Sequence, residues 1–421
     1  MGRKLEPKYI YAALAAITIT TVMFSCNKSN TDAAVVAGKN LYIASGRCNS
    51  GLGITTFSSS TSSRVVSKVN LTTGTLSFFQ DLSSPFQGGI LAPETSPQSL
   101  LNDGTNVLML TENPTNTGDR KVFSIPKSTP FNMSVYSNDV LALTPTAGHI
   151  TRSLAKDVDN TLLFSKSIAI EKLGTNTLRI PQGANAWVNA PAGSCATSTN
   201  LISSMVVLPP FAPATTGKIL YAHNDGATSA NNLLGIISQD GYSVLANCIA
   251  GRQIAANPAH TYATNITGPT ITFAAEGVNV TSMVYISTGT GTGKLVTAYS
   301  AATSAQLNNN TNQNYVIAIW DITETSTTAA TITNPIILYR DFSLIFGISA
   351  MAYDASTGYL YVATASQPGV ADQTTAGYGY KVEKFLLNTA TPSLTLVQVN
   401  SKPFLERSSA TKCISSMIVA D

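Results

Sequence analysis

The 421-residue chain carries three histidines, His149, His223 and His260. None falls in an HxH or HExxH spacing, so the converging His, Cys or carboxylate ligands of a zinc site are not laid out, and no metal or cofactor is expected. Asp157-Val158-Asp159-Asn160 lacks the alternation of an EF-hand loop and reads as a hairpin turn. Gly289-Thr290-Gly291-Thr292-Gly293-Lys294 invites a phosphate-loop reading and fails at both ends. Thr288 stands where the first glycine belongs, Leu295 where a magnesium-binding hydroxyl should be, and strand-like segments flank the run. No G-x-S-x-G elbow is present. For glycoside cleavage the candidate acids are Glu112, Asp225 and Glu276, each read equally well as a solvated loop residue. The densest polar cluster is His223-Asn224-Asp225, directly after the apolar Ile219-Leu220-Tyr221-Ala222. It suits ligand contact, or else a strand-ending Asx turn. No catalytic set emerges.

The elements that must position such residues are β-strands. Hydrophobic residues make up 44% of the chain, enough for a large core, while charged residues are only 11%. That is well below the ~25% of ordinary soluble domains. Of the net charge of +3, the first 25 residues supply +2, from Arg3, Lys4 and Lys8 against Glu6. The remainder is close to neutral, which argues against electrostatic capture of nucleic acid. After residue 25 no long stretch shows apolar residues at i, i+3, i+4 and i+7.

At the N-terminus a basic stretch precedes an apolar run from Tyr9 to Phe24, shorter than the ~20 residues that span a bilayer. Met23-Phe24-Ser25-Cys26 resembles a bacterial lipobox, although Phe24 is bulkier than the family prefers. The resemblance implies a signal peptide over 1–25, lipidation (palmitate) of Cys26 and a membrane attachment through that anchor. Asn27 is not the aspartate that retains such proteins in the inner membrane. The expected location is therefore the outer membrane of a bacterial cell envelope, on its periplasmic or surface face. Residues 26–38 are small and polar, a flexible tether, and 39–421 form the folded domain.

A leader of a small or polar residue, then Ser or Ala, then Met or Leu, recurs along that domain. Its instances are Gln98-Ser99-Leu100, Arg152-Ser153-Leu154, Ser203-Ser204-Met205, Thr281-Ser282-Met283, Ser349-Ala350-Met351 and Ser415-Ser416-Met417. All but the last are followed, after a turn such as Asn102-Asp103-Gly104 or Ser356-Thr357-Gly358, by an apolar strand. The leaders recur every 51 to 78 residues, enough for a four-stranded sheet with loops. The phrase beginning at Met351 resembles strand pairs of six- and seven-bladed propellers of the YVTN, NHL and TolB-like kinds. The expected fold is thus all-β, a six-bladed propeller (alternatively seven-bladed). Its ring closes by pairing Ser415–Asp421 with the early strand Leu41-Tyr42-Ile43-Ala44, and leaders on the innermost strands let the strands crowd around the axis. A β-sandwich pair or a β-helix is the competing arrangement.

Of the five cysteines, Cys48, Cys195, Cys248 and Cys413 remain once Cys26 is set aside. An even remainder in an exported chain suggests two disulfides, with three connectivities. The ring brings Cys48 beside Cys413, leaving Cys195 with Cys248; the alternative is four unpaired buried thiols. Residues just after the second strands gather on one face: Arg47, Glu112, Asn113, Lys166, His223, Asn224, Asp225 and Gln367. The expected function is a non-enzymatic, lipid-anchored, monomeric binding module whose propeller face takes a protein or glycan partner. The alternatives are a propeller hydrolase or lyase with an axial site, and a surface adhesin.

Overall fold

A computed structural model describes residues 38–46, 64–83, 85, 89, 91, 95–113, 120–137, 151–157, 160, 162–166, 169–173, 201–212, 217–224, 234–237, 244–246, 261–262, 278–301, 315–327, 329–341, 348–364, 380–398, 404–407 and 413–421. The regular elements among them are β-strands, as expected from a chain whose apolar residues alternate rather than fall on helical faces.

The strands form six antiparallel sheets, one of which also gains a short parallel edge strand. β1 (Asn40–Gly46), β2 (Val65–Asn70) and β3 (Leu76–Asp81) make one sheet, completed by β25 (Cys413–Ala420) on the far side of β1. β4 (Ser96–Asn102), β5 (Asn106–Glu112), β6 (Val122–Pro126) and β7 (Ser134–Ser137) make the next. β8 (Thr151–Lys156), β9 (Leu162–Lys166) and β10 (Ala169–Lys172) follow. Then come β11 (Leu201–Val207), β12 (Ile219–Asn224), β13 (Leu234–Ile237) and β14 (Val244–Ala246). β16 (Val278–Gly289), β17 (Thr292–Ala301), β18 (Tyr315–Ser326) and β19 (Ala329–Asp341) carry the parallel β15 (Thr261–Tyr262) at their outer edge. Last are β20 (Ile348–Asp354), β21 (Tyr359–Thr364), β22 (Tyr380–Asn388) and β23 (Ser393–Leu396), with β24 (Leu405–Arg407) also on β22.

The expected blade count of six, or seven, is corrected. Among the described residues five sheets are full blades of four strands or more, and the sheet of β8 to β10 stops at three. The reason lies in what a leader encodes. It marks the first strand of a sheet and carries no information about whether a fourth strand follows. The expected pairing of tail and head is present: β25 runs antiparallel to β1, with Leu41 opposite Val419 and Ile43 opposite Met417.

The leaders lie on β4, β8, β11, β16, β20 and β25, and these first strands pack on one another in that order, β25 returning to β4. Small size is not their main property. Each first strand is bulged at the leader's opening residue: Gln98, Arg152 together with Ser153, Ser203, Thr281, Ser349 and Ser415 are skipped in pairing. An extra residue re-aims the side chains around it. The serine that follows then reaches the next first strand. Ser416 Oγ accepts from the Leu100 amide (3.0 Å), Ser99 Oγ from Leu154 (3.0 Å), Ser153 Oγ from Met205 (3.1 Å) and Ser282 Oγ from Met351 (3.0 Å). Three of the bulged hydroxyls donate to the neighbour's carbonyl: Ser415 to Pro97 O, Ser203 to Val280 O and Thr281 to Ile348 O, at 2.5–2.6 Å. The bonds satisfy backbone groups that face away from each sheet's own ladder.

The closing Met or Leu of each leader faces the preceding sheet and seals the inner end of the core between the two. Leu100 does so among Tyr42, Val66, Phe79, Met109 and Phe123, and Met351 among Val296, Ile319, Leu360 and Phe385. Trp320 is the largest fully buried side chain, its Nε1–H donating to Thr297 Oγ1 at 2.9 Å. The turns follow their chemistry, with Gly104 and Gly358 in the left-handed region that a Cβ disfavours. The glycine run is a hairpin turn between β16 and β17.

Candidate functional site

The candidate face is built from the ends of second strands. Glu112 ends β5 opposite Ser96, Lys166 ends β9 opposite Thr151, and His223 and Asn224 end β12 opposite Ile202 and Leu201. All four therefore stand beside the start of a first strand, at one end of the ring. Arg47, Asp225 and Gln367, with Cys26, Cys48, Cys195, Cys248 and Glu276, lie outside the described residues. Of Lys166, His223 and Asn224 the backbone position alone is described. Cys413 opens β25 opposite Gly46, two residues short of Cys48.

Glu112 and Asn113 are not solvated loop residues; both are fully buried. Glu112 Oε1 sits 2.8 Å from Arg120 Nε, and the same Nε–H donates to the Asn113 carbonyl at 3.0 Å. Asn113 Nδ2 donates to Thr95 Oγ1 at 2.9 Å, and Gln98 Nε2 to Ser96 Oγ at 2.9 Å. Arg152, the bulged residue of β8, joins from the neighbouring sheet. Burial pushes its guanidinium down to about 10, against the pull of the Glu112 carboxylate, so it is a cation at neutral pH. Glu112, Arg120 and Arg152 thus form a buried charged cluster across the β4–β7 and β8–β10 sheets, at the end where first strands begin.

Chemically this cluster holds and orients. The Glu112 carboxylate is taken up by Arg120, and a guanidinium does not act as a base near neutral pH. Among the described residues no three His, Cys, Asp or Glu side chains converge to hold a metal ion. No helix among them is long and apolar enough to cross a membrane. Arg120 and Arg152 were not among the sequence candidates. Arg152 carried a signal nonetheless: it is the one charged residue at a bulge position otherwise held by Ser, Thr or Gln. Arg120 carried none.

Sheets whose first strands pack side by side in a closed circuit define a β-propeller, and the chain shows a low similarity to several solved structures. They include the Cps50 (Swd1) β-propeller domain of Myceliophteria thermophila, at 9% identity and a TM-score of 0.36, covering 80% of this chain and 81% of that one. The Dos1 propeller matches at 11% identity and 0.38 over 82% and 79% of the two chains. The hydrazine synthase of Kuenenia stuttgartiensis matches at 11% and 0.34 over 72% and 66%. No protein-family model matches the chain, and no curated protein sequence matches it.

Proposed function

We propose that the protein is a lipid-anchored component of a bacterial cell envelope whose propeller presents a rigid face to a protein or glycan partner. The observation that carries this reading is the order of parts in the N-terminal region. A basic and apolar stretch ends at Ser25-Cys26, a short polar segment follows, and the propeller's first strand begins at Asn40. A closed β ring on a short lipid tether keeps its loops near the membrane, which favours partner capture. The buried Glu112–Arg120–Arg152 cluster supports binding over turnover, because it fixes loop ends without supplying an acid or a nucleophile. The register also favours a Cys48–Cys413 disulfide, since Cys413 already faces Gly46 across the closing strand pair; Cys195 and Cys248 would form the second.

Acylation is tested in a bacterial host grown with an alkyne-bearing palmitate analogue. The full chain is expected to take the label and to fractionate with outer membranes, whereas Cys26→Ser is expected to lose both. An unlabelled wild-type chain, or equal labelling of the variant, overturns the anchor. Binding is tested with the mature domain on a glycan array and by cross-linking in envelopes. Hydrolysis of a simple ester, lactone or glycoside by that domain, lost in His223→Ala, overturns the non-enzymatic reading.

A further inference from the structure

The hydroxyl bridges between first strands divide the ring unequally. β25 and β4 are joined by two, through Ser415 and Ser416. β16 and β20 are likewise joined by two, through Thr281 and Ser282. The β4–β8, β8–β11 and β11–β16 contacts have one each, through Ser99, Ser153 and Ser203. At the β20–β25 contact the pattern fails. The bridging serine is replaced by Ala350, which has no oxygen to offer the Met417 amide. The bulged Ser349 reaches Ala363 O of its own sheet, at a long 3.5 Å, whereas Ser415, Ser203 and Thr281 make the corresponding own-sheet contact and the bridge besides.

From this asymmetry we propose that the β20–β25 contact is a built-in seam, the place where the ring opens first. Sheets on either side of it stay intact when it parts, because β25 is held by its ladder to β1 and β20 by its ladder to β21. Opening therefore separates two whole sheets; it does not peel the tail strand away. Each bridge is a buried hydrogen bond, worth about a five-fold factor in the local opening equilibrium. A contact with none, flanked by contacts with two, concentrates opening fluctuations at one place. The inference is independent of what the protein binds.

Amide hydrogen exchange on the folded domain tests it, read by peptides covering the six first strands. In the wild-type protein the seam-facing amides of β20 and β25 are expected to exchange faster than their counterparts in β4 and β20's other neighbour, β16, while the β1 ladder stays protected. Ala350→Ser is expected to slow exchange at Met417 about five-fold. Ser153→Ala removes the hydroxyl bridge described between β8 and β11 and is expected to bring β11 to the level of the seam. Equal protection of all six strands, or joint exchange of β1 and β25 as in unzipping of the tail, overturns the seam. So does Ser153→Ala leaving β11 unchanged, whether or not Ala350→Ser folds.

Discussion

The two ends of the propeller each bury charge, and they do so differently. At the end where first strands begin, Glu112 is fully buried, paired with Arg120 and within electrostatic reach of Arg152. At the hairpin end, Lys218 Nζ meets Glu324 Oε2 at 2.7 Å, and both side chains are almost wholly buried. That pair ties the β11–β12 connection to β18 of the adjacent sheet. Lys218 Nζ lies 5.6 Å from the Phe211 ring centroid, and the Glu324 amide donates to Gly291 O in the neighbouring hairpin turn. The difference is one of escape routes. A carboxylate or an ammonium stranded without its partner neutralises by shifting its pKa, whereas a guanidinium does not. An end built from arginines is accordingly committed to its charge, while one built from Lys and Glu is not.

The largest effect is expected at the arginine end. Glu112→Gln leaves two guanidiniums buried beside a neutral amide, and breaking a buried ionic set in this way costs about 3–5 kcal/mol. Urea unfolding should show the loss across the neutral range, with no recovery on mild acidification. A loss below about 1 kcal/mol would mean that the arginines reach water freely, and the contrast between the ends would vanish.

Lys218→Met should cost less, because it strands one carboxylate, Glu324, where Glu112→Gln strands guanidiniums; urea unfolding of the two variants at pH 7 measures the difference. The double variant Lys218→Met, Glu324→Leu is expected to recover most of the loss, because it removes both charges.

The leaders were legible because a short motif repeats, and repetition is visible in one sequence. The tail-to-head pairing was legible from them, since Ser415-Ser416-Met417 lacks a following strand and Leu41–Ala44 lacks a leader. Their mechanism was not. Crowding explains the smallness of Ser99 or Ser282, but hydrogen bonding to the next strand depends on a bulge at the residue before, and pairing register is not written in residue type. That no fourth strand joins β10 among the described residues was illegible for a related reason, since a strand's existence at a sheet edge depends on what comes to lie beside it. In the candidate site Glu112 and Asn113 were found by their position after a second strand. Their partners Arg120 and Arg152 follow no fixed spacing, because an ion pair between sheets is set by three-dimensional packing. The exception, Arg152, broke the leader pattern, and such breaks are where site residues tend to stand.

A third ion pair sharpens the contrast from the exposed side. Asp321 takes hydrogen bonds from Lys294 Nζ and from Asn334 Nδ2, on the outer part of the β16–β19 sheet. Burial would raise the Asp321 carboxyl, but the hydrogen bonds from Lys294 and Asn334 and the Lys294 charge outweigh it and hold it below the ordinary range. A group with a depressed folded pKa contributes stability above its unfolded value of ~3.9, and that stability is lost as pH falls through the lower folded value. The side chain is one-third exposed, so solvent screening limits the contribution to a few tenths of a kcal/mol. Asp321→Asn should thus lower stability slightly at pH 7, by less at 0.5 M salt, and not at all once the pH is below the folded pKa. Should Asp321→Asn instead cost as much as Lys218→Met, burial would not be what separates a strong charge pair from a weak one in this propeller.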